Sequence, residues 1–346
     1  MTGGTIRRAV TAQPGQMIIE ETDPPSCGPG EARIAVEAVG LCGSDIHLFY
    51  GTHPYARFPQ TQGHEFSGRV LELGDGYAGP IRPGDRVAVE PLIWCGTCYA
   101  CRKGRPNCCT RLKVMGAHVP GALAEQVVVP ASACYPADGL DAETAALVEP
   151  VSIALHAVRR GQVAPADQVL IMGAGPIGLA ATLAAADAGA RVAVTDRLAS
   201  RLTEAARMGA ERTVDTTREN LAAATDDWTG GDGAAVVIDA TGAPSLIRSA
   251  FDLVAPSGVI VIAGISDQEV AVPVIEFSRK EVTVAGSRNN AGVFGQAMDL
   301  VRRHQGQVAH LITHRFELAA AGSAIAFARE NPGQAEKVII TLGEPR

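Results

Sequence analysis

The stretch QVLIMGAGPIGLAATLAAADAGARVAVTD, residues 168–196, decides the fold. It reads as a buried apolar strand, a glycine-rich turn, an alanine-rich helix and a second strand, which is a βαβ unit. Within Gly173-Ala174-Gly175-Pro176-Ile177-Gly178 the first glycine permits the turn, the second lets a pyrophosphate approach the backbone, and the third lets helix and strand pack closely. The helix amino terminus then faces the phosphates. RVAVTD ends in Asp196, about twenty residues beyond the glycines, where a carboxylate accepts hydrogen bonds from a ribose diol. The same charge repels a 2′-phosphate and favours NAD over NADP. Arg197 and Arg201 stand near enough to offset part of that repulsion, although Arg197 also reads as a plain solvated helix-face charge.

Downstream the rhythm continues through RLTEAARMGA, AAVVIDATG, SLIRSAFDLVAPSG, VIVIAG and EVTVAGS. Strands alternating with helices predict a parallel, doubly wound sheet. Upstream, to about residue 150, the text instead alternates polar and apolar over short runs: ARIAVEAV (32–39), GRVLELG (68–74), DRVAVEP (85–91) and LAEQVVVP (123–130). Glycine and proline punctuate them, which predicts an all-β barrel or sandwich. The tail holds a helical pattern, FGQAMDLVRRH, and a last apolar strand, KVIITL, that the pattern alone assigns to neither part.

At 346 residues the chain suits two domains. Its 47% hydrophobic content and 38 glycines are those of a globular protein rich in tight turns. A net charge of −7 without basic blocks offers nucleic acid or an anionic membrane no electrostatic footprint, so a small molecule is the expected partner. The stretch 169–186 is long and uncharged, but its proline and glycines argue against a membrane span. MTGGTIRRAVTAQPG lacks the apolar core of a secretory signal, so a cytoplasmic protein is expected.

In such a reducing compartment, clustered cysteines read as a metal site. CGTCYACRKGRPNCC (95–109) holds five of the eight cysteines. Cys95, Cys98, Cys101 and either Cys108 or Cys109 can close a tetrahedral shell around zinc, a staple with no open position for chemistry. Cys27 and Cys134 look like isolated apolar residues. Chemistry must then lie elsewhere. LCGSDIH (41–47) and GHEFSG (63–68) set a thiol, an imidazole and a carboxylate on turns bounding β segments, with Glu149 in ALVEPVSIALHAV a further candidate. Such a mixed set suits zinc and leaves room for a reactant.

With GHEFSG, LCGSDIH, the 95–109 loop and GAGPIG in this order, the chain resembles the zinc-dependent medium-chain dehydrogenases over almost its whole length. The resemblance implies a GroES-like β-barrel catalytic domain from 1–150 and 290–346, with a structural zinc lobe at 90–112. A Rossmann NAD-binding domain, 151–289, is inserted, and the active cleft lies between the two. It implies Cys109 as the fourth structural ligand. It also implies a catalytic zinc held by Cys42 and His64, with Glu65 as an alternating ligand or a carboxylate behind the ligands. Glu149 stands where the polyol and threonine dehydrogenase branches carry a glutamate, bound directly or through water, and where simple alcohol dehydrogenases carry a cysteine. Ser44 and His47 match the family's proton path.

The implied reaction is hydride transfer from a secondary alcohol to NAD, made accessible by the charge of zinc. RPNCC, ALVEP with HAVRR, and GSRN followed by LITHRF are most similar to the sugar-acid and polyol branch, such as L-galactonate or L-gulonate 5-dehydrogenases. A substrate of that kind is an aldonate or alditol. Arg288 in GSRNN (286–290) suits a hydroxyl or carboxylate in fork geometry, and equally a structural salt bridge. An L-threonine 3-dehydrogenase or general secondary-alcohol dehydrogenase is the alternative. A zinc-free reductase and a non-catalytic NAD-binding protein stand further off. The apolar runs VIVIAG and EVTVAGS leave a sheet edge that needs covering, and the resemblance implies a second subunit there, in a dimer or tetramer.

Overall fold

Six parallel strands pair side by side in the order Arg212–Asp215, Arg191–Asp196, Gln168–Met172, Ala234–Asp239, Val254–Ile262, Thr283–Gly286 in the computed structural model, which describes residues 4–343. Numbered along the chain, that order is 3-2-1-4-5-6, the doubly wound Rossmann arrangement. Val169 to Met172 are wholly buried, as expected of a strand covered by helices on both faces. Pro176–Asp187, Ala199–Arg207, Leu221–Thr229 and Pro244–Leu253 are among the helices that follow the strands. The strand order reverses between Gln168–Met172 and Ala234–Asp239, so the ligand crevice of such a sheet opens at their carboxyl ends. Thr283–Gly286 is an outer strand. On it and in the segment just before it Val284, Val274, Ile275 and Phe277 are exposed, Val274 at 83%.

Seven of the remaining strands form a mainly antiparallel sheet. Its path runs Ile312–Glu317, Lys337–Thr341, Glu31–Gly40, Glu65–Leu73, Arg86–Val89, Cys134–Pro136, with Gln126–Pro130 pairing Glu31–Gly40 as well. A hairpin, Ile6–Gln13 with Gln16–Thr22, joins through the bridges Arg8↔Ala124 and Thr11↔Gln60. Inward residues of these strands, including Ile34, Val36, Phe66, Val87 and Ile340, make one apolar core. The tail completes it, because Lys337–Thr341 pairs antiparallel with Glu31–Gly40.

The chain divides into two compact units, residues 1–149 with 294–346, and residues 150–293. The first is the GroES-like unit and the second carries the parallel sheet. Among the described residues no helix is long and apolar enough to cross a membrane. The uncharged stretch 169–186 is divided between strand Gln168–Met172 and helix Pro176–Asp187.

Candidate active site

Cys42 follows the long strand Glu31–Gly40 and caps the helix Gly43–Phe49. Its backbone N–H donates to Asp45 Oδ2 at 2.9 Å. Asp45 is fully buried and faces a second turn as well: the Gly63 amide lies 3.4 Å from Oδ1, and Gln62 Nε2 donates to the Asp45 carbonyl at 2.7 Å. Gln62 is held in turn by Thr11, whose hydroxyl donates to Oε1 at 2.6 Å. One carboxylate therefore ties the turn bearing Cys42 to the turn bearing His64, and Asp45 Oδ2 stands 3.7 Å from His64 Nδ1.

Glu65 opens the strand Glu65–Leu73, and Lys337 opens Lys337–Thr341. The Lys337 ammonium donates to both Glu65 oxygens, at 2.8 and 2.7 Å, and to the Leu41 carbonyl at 3.2 Å. Both side chains are buried. The ligand atoms of Cys42, His64 and Glu65 all lie within 4.8 Å of one another. Glu149, buried in the first turn of the helix Val148–Arg160, is outside that triplet but within its field. Burial pushes its carboxyl up to about 8, opposed by His64 and Lys337 and reinforced by Glu65 and Asp45. For His64, burial works to lower the pKa, but Asp45, the hydrogen bond to Cys42 and Glu149 outweigh it and hold the imidazole well above its usual value.

These residues fit a divalent cation. Asp45, Glu65 and Glu149 bring three buried carboxyl groups together with a thiol, against the single ammonium of Lys337. His64 Nδ1 is buried without a hydrogen-bond partner among the described residues. Thiol, imidazole and carboxylate are the donor types zinc takes. Ser44 and His47 sit three apart on the helix that Cys42 caps, a spacing that puts both on one face. His47 is exposed, with Nδ1 3.0 Å from Thr52 Oγ1.

The cysteine loop gathers its own set. The sulfurs of Cys95, Cys98, Cys101 and Cys109 lie within 4.8 Å of one another, with Cys95 and Cys109 3.4 Å apart and Cys98 and Cys101 3.5 Å apart. Cys108 is outside this set and exposed. Backbone N–H groups of Cys95 and Arg111 donate to Cys109 Sγ at 3.4 and 3.3 Å. A backbone hydrogen bond from Thr97 leads the causes that lower the Cys95 thiol to about 5, and one from Cys101 leads those that lower Cys98 to about 7. Desolvation leads the causes that hold Cys101 up at about 12. Four close sulfurs, some already poised as thiolates, are the donor set of a closed zinc site.

In the parallel-sheet unit the three glycines part company. Gly173 has φ +97°, and a Cβ on Gly178 would sit 1.8 Å from the Gly173 carbonyl oxygen, so both are demanded by the chain itself. Gly175 has φ −74°, and a Cβ there would meet nothing within 4 Å. Its lack of a side chain has no internal cause and fits an external ligand pressed against the backbone. Pro176 and Ile177 form the first turn of the helix. Asp196 Oδ2 accepts from the Ala174 N–H at 2.8 Å, while Oδ1 accepts from the amides of Arg197 (2.7 Å) and Leu198 (3.0 Å). Arg201 stands 3.9 Å from the same carboxylate and Arg197 is exposed. Arg288 is exposed two residues past the outer strand.

Asp45, Gln62 and Lys337 carry no signal of their own in the sequence. Asp45 sits inside the quoted LCGSDIH, where only the flanking Cys42, Ser44 and His47 drew a role. Asp239 is another: buried at the end of its strand, it accepts from the Thr241 amide and hydroxyl and from the Gly242 amide, fixing the turn opposite the glycine loop.

Two family models match the chain: the alcohol dehydrogenase GroES-like domain over residues 28–139 and the zinc-binding dehydrogenase over residues 176–303. The L-galactonate-5-dehydrogenase of Escherichia coli K12 is 36% identical over 91% of this chain and 93% of its own. The sorbitol dehydrogenase of Halalkalibacterium halodurans is 32% identical over 94% and 96%. Among solved structures, the alcohol dehydrogenase RspB of Escherichia coli CFT073, complexed with NADH, matches with a TM-score of 0.91 at 33% identity, covering 98% of this chain and 100% of that one.

Proposed function

Because the chain belongs to the zinc-dependent medium-chain dehydrogenase family and is by that membership an oxidoreductase, we propose that it oxidises a secondary hydroxyl of a sugar acid or polyol to a ketone, with NAD as acceptor. The observation that carries this reading is the meeting of Cys42, His64 and Glu65 in one pocket, with Glu149 in their field, braced by Asp45 and Lys337. Zinc when bound supplies Lewis acidity that makes a secondary hydroxyl acidic near neutral pH, and the nicotinamide supplies the hydride acceptor.

The chain's own residues do the rest. Cys42 and His64 would hold the metal, with Asp45 fixing the turns they stand on. Lys337 holds the Glu65 carboxylate, which would serve as an alternating ligand or stand behind the ligands, and Glu149 stands where burial penalises its charge. Ser44 and His47 carry the departing proton along one helix face towards solvent, where Thr52 partners the imidazole. The GroES-like unit is the catalytic domain and the parallel-sheet unit the nucleotide-binding domain. In the latter, the glycine turn takes the pyrophosphate and Asp196 takes the ribose diol, which favours NAD over NADP. Arg288 addresses a hydroxyl or carboxylate of the substrate. Cys95, Cys98, Cys101 and Cys109 hold a second, structural zinc. The exposed apolar residues around Thr283–Gly286 support a homo-oligomer built on that edge.

The test is a screen of zinc-replete protein with NAD against aldonates, alditols, L-threonine and simple secondary alcohols, following NADH absorbance. Oxidation of an aldonate or alditol in preference to the others is expected. Inertness towards every polyhydroxy compound, or turnover of threonine alone, overturns the assignment. The names of the relatives support the substrate class: besides those above, L-idonate 5-dehydrogenase of Vitis vinifera is 35% identical over 92% of the chain.

A further inference from the structure

Shortly after the helix that Cys42 caps, the chain leaves an aromatic ring half bare. Tyr55 is 48% exposed although it is held on two sides. The His118 ring lies 4.5 Å from it, centroid to centroid, and the His53 ring 5.5 Å. The Tyr55 N–H donates to His53 Nδ1 at 3.2 Å, and the Val114 N–H pins His118 by donating to its Nδ1, also at 3.2 Å. A neutral imidazole that accepts at Nδ1 carries its proton on Nε2. Burial first, then His47 and His118, keeps the His53 imidazole below its ordinary pKa against the pull of Asp45, so near neutral pH it is uncharged and a donor through Nε2. Tyr55 and His53 together present a ring face, a phenolic hydroxyl and an imidazole N–H.

The two segments that carry these rings adjoin the metal-ligand triplet. Thr52 and His53 both donate their backbone N–H to the His47 carbonyl, at 2.9 and 3.2 Å, which ties the loop to the helix bearing Ser44 and His47. The segment bearing His118 packs on the turn just before His64: a Cβ on Gly116 would lie 2.8 Å from the Gly63 nitrogen, and one on Gly121 2.4 Å from the Gly63 carbonyl oxygen. His53 also lies within electrostatic reach of Asp45 and His64. A chain of several carbons anchored at the triplet by one hydroxyl therefore has this wall within reach. For a simple alcohol the wall is poorly matched, since its polar groups gain no partner from an alkyl chain. A polyhydroxylated chain alternates C–H and O–H groups and suits a ring face flanked by hydrogen-bonding groups.

We propose that Tyr55 and His53, with His118 backing the ring, select the polyhydroxylated chain of the substrate by hydrogen-bonding hydroxyls other than the one oxidised. The assignment rests on the sugar-acid or polyol reading above and adds the residues that impose it.

The test uses full-length, zinc-replete protein with saturating NAD. Values of kcat and KM are measured for L-galactonate, for sorbitol and for the aldonate or alditol ranked first in the screen above, with 2-butanol as the bare chain. The proteins compared are the wild type, Tyr55→Leu, Tyr55→Phe, His53→Leu and His53→Gln, with melting temperatures alongside. Tyr55→Leu and His53→Leu should each raise KM for the polyhydroxy substrate roughly tenfold with kcat within about twofold, because contacts remote from the reacting carbon are made equally before and in the transition state. Their preference for that substrate over 2-butanol should fall by the same factor. Tyr55→Phe, which keeps the stack and loses the hydroxyl, should raise KM about threefold. His53→Gln, whose amide restores an N–H donor, should recover most of the His53→Leu loss. Unchanged KM in both leucine variants overturns the proposal, and so does an equal loss on every substrate, which a merely structural loop would give. Should the leucine variants not fold, Tyr55→Phe decides: unchanged KM for the polyhydroxy substrate overturns the proposal. A wild type that oxidises no polyhydroxy compound refutes the substrate reading and this proposal with it, whereas a wild type that oxidises them and variants that match it refute this proposal alone.

Discussion

Lys337→Met is the sharpest single perturbation of the catalytic unit. The substitution keeps most of the side chain's length and removes its charge. In the native chain the ammonium is 2.7 Å from Glu65 Oε2, with both side chains buried. At an effective dielectric of about 20, that separation corresponds to about 6 kcal/mol of gross attraction. Desolvating the two ions takes back much of it, so the intact pair is worth little against an apolar pair of the same shape. The single variant is different, because it strands Glu65 as an uncompensated buried charge beside Asp45 and Glu149, and losing one member of a buried pair costs about 3–5 kcal/mol. Lys337 also holds the Leu41 carbonyl, immediately before Cys42, so the Cys42 turn loosens with it. The assay is urea unfolding in a Trp228→Phe background, where the remaining tryptophan, Trp94, reports on the GroES-like unit. Lys337→Met should lose about 3–5 kcal/mol, and Lys337→Met with Glu65→Leu should recover most of it. A loss below about 1 kcal/mol, or a double variant no more stable than the single one, refutes the argument that this ion pair is held by mutual compensation.

The other predictions are shorter. Cys42→Ala and His64→Ala should each lose turnover by orders of magnitude and one zinc per chain by mass spectrometric metal analysis, while NADH still binds; near-normal turnover in either would remove the metal assignment. In the cysteine loop, Cys109→Ser should cost the other zinc and lower the melting temperature, whereas Cys108→Ser, whose sulfur is exposed outside the cluster, should change neither. The glycine turn offers a matched pair: Gly178→Ala should destabilise the fold, because its Cβ would lie 1.8 Å from a carbonyl oxygen, while Gly175→Val should leave melting unchanged and abolish NADH binding. Val284→Lys should yield a smaller species than the wild type in light scattering, since it charges the exposed outer strand; an unchanged mass would place the subunit contact elsewhere.

What was legible in the sequence was what is local. QVLIM, RVAVTD and AAVVID announced themselves because a strand buried on both faces is apolar throughout, and the glycine turn because its conformation admits few other residues. Arg212–Asp215, the third strand of the parallel sheet, was not legible, being four residues long with a single apolar residue. Ile312–Glu317 was hidden for a related reason: it reads ITHRFE, with one buried residue among six. The site divides along the same line. Cys42, His64, Glu65 and the four loop cysteines stand in short motifs whose spacing signals metal chemistry. The residues that make the site work by contact do not. Lys337 meets Glu65 across 272 residues of chain, and a lone lysine at the head of an apolar strand looks like a solvated end.

The carboxylates show why this division has physical consequences. Read singly, Asp45, Glu65 and Glu149 are three ordinary acids; buried together, Glu149 is pushed up to about 8 by burial first, with Glu65 and Asp45 adding to it and His64 and Lys337 opposing. On the proposed reading Lys337 and a divalent cation divide the work, the lysine answering Glu65 and the metal answering Cys42 with its neighbours. It follows that the loss of either positive charge should raise the chain's demand for the other: Lys337→Met should need more free zinc to reach its full melting temperature than the wild type, which a thermal shift series across buffered zinc concentrations would measure.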